Sequence, residues 1–312
     1  MKKGLSYGKY KLTIKGGIYL KQIEVYRYDA FSKKPGMGNS AGIVLNGDEL
    51  TEEEMQEIAY KVGFNETVFL LTSICADYQC RFFTPGQEVP LCGHGTIAML
   101  SALKTNGLLM DKSVIMVETK AGILRLEVST DNGEAFISME QAPAKFETFS
   151  GSKLEVADSM GISEEEIDER FPIVYGSTGS WTLLVPIKEL KSFERMVPKN
   201  ERFPSLLEKY PRASLHPFCL ETYHEEALMH GRHFSSFYSG IEEDSVTGTA
   251  SGAMGAYFTK YIDDRSEIKM TIEQGQEIGK DGLLQVEVLN KRDVKITGTA
   301  VYVETFLIEI DG

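Results

Sequence analysis

The chain is poor in positive charge. Its 312 residues carry 33 Lys and Arg against 46 Asp and Glu, a formal charge of −13. Nucleic-acid binding needs clustered positive charge, so this balance argues against nucleic acid as a partner. No apolar run approaches the roughly 20 residues of a membrane span, which argues against a membrane protein. The four cysteines, Cys75, Cys80, Cys92 and Cys219, form no CxxC and no metal-ligand spacing. A chain of this length needs no disulfide staples, and a reduced cytoplasm is the expected location. No metal is expected: His224, His230 and His233 are near in sequence but match no ligand spacing, and they read as surface or strand histidines. The first 23 residues hold six lysines and no acid, and lack the apolar centre of a signal peptide. Residues 1–21 read as an extra basic segment: an additional strand, an upstream start or an expression remnant.

What is present describes a soluble globular chain, 42% apolar and 25% charged, long enough for two domains of ordinary size. Its organising stretch is Cys92-Gly-His-Gly-Thr96. There a polar loop opens Thr96–Leu103, a helical run with no charge until Lys104. A helix apolar on all sides is buried on all sides. Its first backbone N–H groups still need partners, and two glycines let a ligand approach them, which makes an anion site.

The stretch has an echo in Asp244–Phe258, where Gly248-Thr249 again opens a charge-free run. Gly95 matches Gly248 at an offset of 153, Arg81-Phe-Phe matches Arg232-His-Phe at 151, Val117-Glu118 matches Ile272-Glu273 at 155, and Ala121–Val128 matches Asp281–Val288 at 160. Offsets that rise in chain order are those of one unit copied twice with small insertions. The period is far too long for a solenoid, so two similar lobes are expected: 22–142, then 143–300, with 301–312 a final strand that could return to the first lobe.

Along the chain, Ile23–Phe31 alternates as a strand does. Gly36-Met-Gly-Asn-Ser-Ala41 fits the dinucleotide fingerprint in letters only, because a short strand-like Ile43–Leu45 follows where a helix must. The stretch reads instead as a turn that brings Asn39 near the centre. Thr51–Glu54 is a capping box for a helix ended by Gly63. Glu66 then stands at the mouth of an apolar strand, where base rates favour a surface charge. Strands are expected at 78–83, near 113–119, 122–129 and 134–140, then 181–185, 215–222 and 232–238. Helical segments are expected at 163–169, 187–196 and 204–210. Gly252 and Gly255 in the second buried helix imply close packing of a strand.

Two buried helices in similar lobes should aim their amino-terminal ends at one cleft and hold a small anion there. His94, Asp244 and Thr249 sit at those ends, each with a purely structural alternative.

Phe64-Asn-Glu-Thr67, Pro90-Leu-Cys-Gly-His-Gly-Thr96 and Glu243-Asp-Ser-Val-Thr-Gly-Thr249, with Gly38-Asn39 upstream, resemble the phenazine-biosynthesis (PhzF-like) isomerases of the diaminopimelate epimerase superfold. The resemblance spans roughly residues 22–310. It implies an α+β fold of two pseudo-symmetric lobes, each a barrel-like sheet around a central helix, a homodimer, and no cofactor. It also implies catalytic roles for Glu66, His94, Asp244 and Thr249, with Asn39, Gly95 and Gly248 contacting the substrate. Thr249 stands where the family has serine, and Ser245 where it often has proline. In the implied reaction Glu66 takes a proton from carbon and returns it elsewhere, with a pKa that burial would raise toward working pH. Two other readings compete. One is a two-base racemase using Cys92, for which the second lobe offers no matching cysteine. The other is a metabolite-binding protein without catalysis.

Overall fold

The computed structural model describes residues 11–15, 18–131 and 133–311. The chain is mixed α+β and divides into two compact units. One comprises residues 1–36, 40–137 and 299–312, the other 37–39 and 138–298. Of the basic amino-terminal segment, residues 1–10 lie outside the described residues, while Lys11–Lys15 is a strand paired with the strand Ile18–Ala30, Lys11 opposite Gln22. Among the described residues, no helix is long and apolar enough to cross a membrane.

In the first unit, helix α1 (Glu52–Val62) begins at the Thr51–Glu54 capping box and ends where Gly63 turns left-handed, φ 72°. Its apolar face, Met55, Ile58 and Ala59, packs into a core with Ile23, Val44, Phe69 and Phe83. Helix α2 (Gly93–Thr105) is buried without interruption from His94 to Leu103. It lies against the strands Ile18–Ala30, Glu66–Leu71 and Ala300–Asp311. The sheet around it pairs Ala41 with Glu66 in parallel, Val68 with Phe82 antiparallel, Phe83 with Glu88 antiparallel, Tyr78 with Val117 in parallel and Val117 with Leu124 antiparallel. The last strand runs antiparallel to Ile18–Ala30, with Ala300 opposite Ala30.

The second unit repeats this pairing scheme. Phe234 lies opposite Glu243, Met229 pairs in parallel with Ile272, and Ile272 pairs antiparallel with Leu284. The pairs Phe83/Phe234, Val117/Ile272 and Leu124/Leu284 stand at offsets of 151, 155 and 160, those of the sequence matches. Even a side-chain contact recurs. Arg81 holds Glu88 through Nε–Oε1 at 2.8 Å and Nη2–Oε2 at 2.6 Å, and Arg232 holds Glu243 through the same atoms at 2.8 and 2.5 Å. Its outer helices are α3 (Lys153–Met160) and the single turn α4 (Phe203–Leu206). Helix α5 (Gly248–Tyr257) is buried from Ala250 onward. Its glycines admit strands: a Cβ at Gly252 would stand 3.1 Å from Val294 Cγ1, and one at Gly255 2.7 Å from Val286 Cγ1.

The structure corrects several local expectations. The acidic helix expected at 163–169 is only a 3-10 turn, Glu164–Glu166: its capping box forms, but Ile167 already has extended backbone. Helix α3 just before it carries Ala157 and Ser159 on its buried face, so its apolar period was too weak to read. The segment expected at 187–196 is 3-10 (Leu190–Arg195). The strands Lys145–Thr148, Val174–Ser177 and Ala227–Gly231 add to those expected.

Candidate active site

Glu66 is the first residue of its strand, and its side chain is 19% exposed rather than out in solvent. The reason is His94, in the first turn of α2, whose Nε2 approaches Glu66 Oε2 to 3.1 Å. Oε2 itself is buried and receives no in-line hydrogen bond, so the contact is one of opposite charges. Cys92 completes the group. It is the N-cap of α2, its sulfur accepting the Gly95 N–H at 3.3 Å, and it lies 3.4 Å from His94 Nδ1.

The electrostatics follow from these contacts. Burial pushes the Glu66 carboxyl up, but the His94 imidazolium outweighs it and holds the carboxyl below its ordinary value. Burial would lower His94. Its contacts with Cys92 and with the Glu66 carboxylate hold it well above the ordinary imidazole range instead. Burial and the Glu66 carboxylate push the Cys92 thiol up. At neutral pH the trio is therefore a carboxylate, an imidazolium and a neutral thiol. The expectation of a raised Glu66 pKa is corrected: burial acts as foreseen, but the partner two residues after Cys92 reverses the sign. The Cys92 sulfur, set to accept from Gly95 N–H and from His94 Nδ1–H, orients the imidazole.

Donor atoms of Glu66, Cys92 and His94 all lie within 4.8 Å of one another, so the three could also hold a divalent ion. Such an ion would need the His94 nitrogen it binds to be unprotonated, unlike the imidazolium paired with Glu66.

In the second unit, Asn39 is delivered by a turn fastened at Asp29, which accepts Gly36 N–H at 2.7 Å and Ser40 Oγ–H at 2.6 Å. Asn39 Nδ2 donates to Asp244 Oδ1 at 2.8 Å and to the Val246 carbonyl at 3.0 Å. The other Asp244 oxygen accepts Thr247 Oγ1–H at 2.6 Å. Gln274 braces the same loop, donating to the Asp244 carbonyl at 2.7 Å and accepting Thr247 N–H at 3.2 Å. Asp244 thus shapes the loop that starts α5. Gly248 and Thr249 form the helix's first turn, and the Thr249 carbonyl accepts Thr178 Oγ1–H at 2.8 Å. Sequence reasoning missed Thr247 and Gln274. The offset of 153 sets Thr247 against His94, a signal that could have raised it.

Of the three histidines read as surface or strand residues, His230 and His233 lie on strands. His230 is fully buried between Glu273 at 3.0 Å and Glu277 at 3.1 Å. His224 contacts Asp281 at 2.5 Å. His233 is half-buried on a strand.

The profile of the phenazine biosynthesis-like protein family (PhzC-PhzF) matches residues 28–305. The chain is 49% identical over 294 residues to the isomerase YfhB of Bacillus subtilis (strain 168), covering 93% of this chain and 100% of that one. A crystal structure of a PhzF-family phenazine biosynthesis protein from Bacillus anthracis superposes with a TM-score of 0.91 at 54% identity, covering 93% of this chain and 100% of the other. The trans-2,3-dihydro-3-hydroxyanthranilate isomerase of Pseudomonas chlororaphis is 26% identical over 88% of this chain and 94% of its own. A probable proline racemase from Agrobacterium radiobacter K84 shares the fold alone, with a TM-score of 0.61 at 14% identity over 93% of each chain. With a family profile over most of its length and a relative at 49% identity, the chain belongs to the phenazine biosynthesis-like (PhzF) family and is an isomerase of that family.

Proposed function

We propose that the chain is a cofactor-independent isomerase of a small, unsaturated carboxylic acid, and that Glu66 moves the proton. The observation that carries this is an asymmetry between two units of one pairing scheme. Thr67 lies opposite Phe83, and Leu215 opposite Phe234, so Ser214 stands where Glu66 does. The offset of 153 puts Ser245 where Cys92 is and Thr247 where His94 is. The second unit therefore has no titratable group at the positions equivalent to Glu66, Cys92 and His94. One base that takes and returns a proton suits an isomerase. A racemase that works from both faces needs two, and Ser245 cannot supply the second.

The resting charges fit that role. Glu66 is already a carboxylate, ready to accept a proton. His94, already protonated, is a charge partner and not a competing base. A carboxylate held below its ordinary pKa is a weak base, so the C–H it attacks must be activated by an adjacent double bond or carboxylate. Once protonated, Glu66 lies beside an imidazolium that favours giving the proton back. Each unit also offers a helix amino-terminus, at Gly95 and at Gly248, to a carboxylate or to developing negative charge. The shared scheme is the trace of an internal duplication, and the named substrate of the Pseudomonas chlororaphis relative supports a cyclic acid as the substrate class.

The test is solvent-deuterium exchange. Pooled cyclic and unsaturated carboxylic acids are incubated in D₂O with the parent chain and with Glu66→Gln, then read by mass spectrometry. Deuterium gained with the parent and not with the variant is the expected result. Equal exchange by both removes Glu66 as the base.

A further inference from the structure

The second unit has its own unassigned pair of side chains, His216 and His233. In the first unit the equivalent residues are Val68 and Phe82, directly opposite each other in their strands. Both are apolar, and Val68 packs on the first turn of α2: a Cβ at Gly95 would stand 2.8 Å from Val68 Cγ2. The fold therefore needs only apolar bulk at these two positions. The second unit puts two imidazoles there, with Nδ1 atoms 3.2 Å apart.

Their surroundings fix the protons. His216 is fully buried, and its Nε2 has no hydrogen-bond partner. That edge lies against Gly231, where a Cβ would stand 2.8 Å from Nε2. Burial holds His216 well below the ordinary imidazole range, aided by the nearby His233 and His230. Burial holds His233 at about 4, against a smaller opposite pull from Asp244. Both rings are thus neutral at physiological pH, and one Nδ1 donates to the other. Were His233 the donor, His216 would bury an orphaned Nε2–H. Orphaned buried N–H groups are rarer than under-satisfied acceptors. His216 Nδ1–H therefore donates, His233 Nδ1 accepts, and the His233 proton sits on Nε2.

His233 is half-buried and lies directly opposite Asp244 in the antiparallel pair, so the two side chains share a face. Asp244 in turn holds Thr247, the N-cap of α5. We infer that His233 presents a fixed Nε2–H donor to an acceptor oxygen of a small carboxylate at the amino-terminal end of α5, with His216 behind it setting the tautomer. This makes His233 a substrate-contacting residue of the second unit and His216 its positioning residue. The inference extends the isomerase reading without depending on Glu66.

The experiment is long-range ¹H–¹⁵N correlation on the full chain labelled at histidine, between about pH 6 and 8, followed by titration with benzoate and with oxalate. The expected spectrum shows His233 as the Nε2–H tautomer and His216 as the Nδ1–H tautomer, both neutral throughout. At least one of the two acids should shift the His233 signal saturably. His233→Phe, which installs the side chain of position 82, should weaken that acid about tenfold or more, and His233→Asn serves if the Phe variant fails to fold. His216→Val should leave His233 as a mixture of tautomers and weaken binding several-fold. An Nδ1–H tautomer or an imidazolium at His233 overturns the relay. No His233 shift with either acid overturns the ligand assignment, even where the Glu66 exchange test succeeds. A saturable shift alongside a failed exchange test leaves this inference standing and removes only the base.

Discussion

Replacing His94 with Gln would remove a charge from 3.1 Å beside Glu66 while leaving a neutral donor of similar reach. At that separation and an effective dielectric constant of about 20, the Coulomb attraction is about 5 kcal/mol. Desolvation of both groups offsets part of it. Breaking a buried pair by removing one partner costs about 3–5 kcal/mol, because the other charge is left uncompensated. Gln keeps a hydrogen-bond donor, so a loss of about 3 kcal/mol is expected near pH 6. The pH dependence is the sharper test. Glu66 is held below its ordinary 4.5 and His94 well above its ordinary 6.5. A lowered carboxyl stabilises the fold above its unfolded value and loses that contribution as pH falls through the folded value. A raised imidazole stabilises below its unfolded value and loses that contribution as pH rises through the folded value. The pair should therefore contribute most between pH 4.5 and 6.5, and less on either side. Urea unfolding of the parent and of His94→Gln from about pH 3 to 9 reads this directly. In a Glu66→Gln background the same substitution should cost under about 1 kcal/mol. A stability difference that stays flat across pH, or survives undiminished in the Glu66→Gln background, would refute the ion pair.

Three further outcomes follow from contacts elsewhere. Cys75 is exposed and the other three cysteines are buried, with burial pushing Cys80 and Cys219 up to about 12; a chromogenic disulfide at neutral pH should titrate one thiol quickly and the rest only in denaturant. Gly255→Ala would put a Cβ 2.7 Å from Val286 Cγ1 and should destabilise by about 1–3 kcal/mol, seen as a lower thermal transition that Val286→Ala partly restores. Asn39→Ala removes donors from Asp244 and the Val246 carbonyl and should cost about 1–3 kcal/mol, with faster amide exchange at Val246 and Thr247 as the local readout.

The sequence carried much of this frame, and its failures share a cause. The buried helix α2 was readable because Thr96–Leu103 has no charge at all, and Gly252 and Gly255 because helical glycines call for a close neighbour. The repeat was readable because strand register conserves spacing, so matches at 151, 155 and 160 could be lined up without coordinates. Helix α3 was missed because Ala157 and Ser159 share its buried face. The sign of the Glu66 shift was missed because it depends on the direction of one imidazole. His94 could be named from its motif, but nothing in the one-dimensional spacing puts its Nε2 against a strand 28 residues upstream. The strand reading of His230 left its burial open for the same reason: its partners Glu273 and Glu277 come from a strand and a turn more than 40 residues away.

The comparison between units separates scaffold from chemistry without recourse to other proteins. Arg81–Glu88 and Arg232–Glu243 keep one geometry, as a contact that fastens a loop beside its strand should. The differences gather where strand faces meet the first turn of each central helix. Glu66 becomes Ser214, Val68 becomes His216, Phe82 becomes His233, and His94 becomes Thr247. These changes are coupled by charge. A carboxylate at position 214 would face burial with no imidazolium at 247 to hold it, and a buried uncompensated charge is among the costliest single features a fold can carry. The neutral imidazoles at 216 and 233 bring hydrogen-bonding capacity without that cost. The second unit pairs its own buried charges elsewhere, Arg232 with Glu243 and His230 with Glu273 and Glu277, and Glu66 keeps its carboxylate buried with His94 beside it in the same unit.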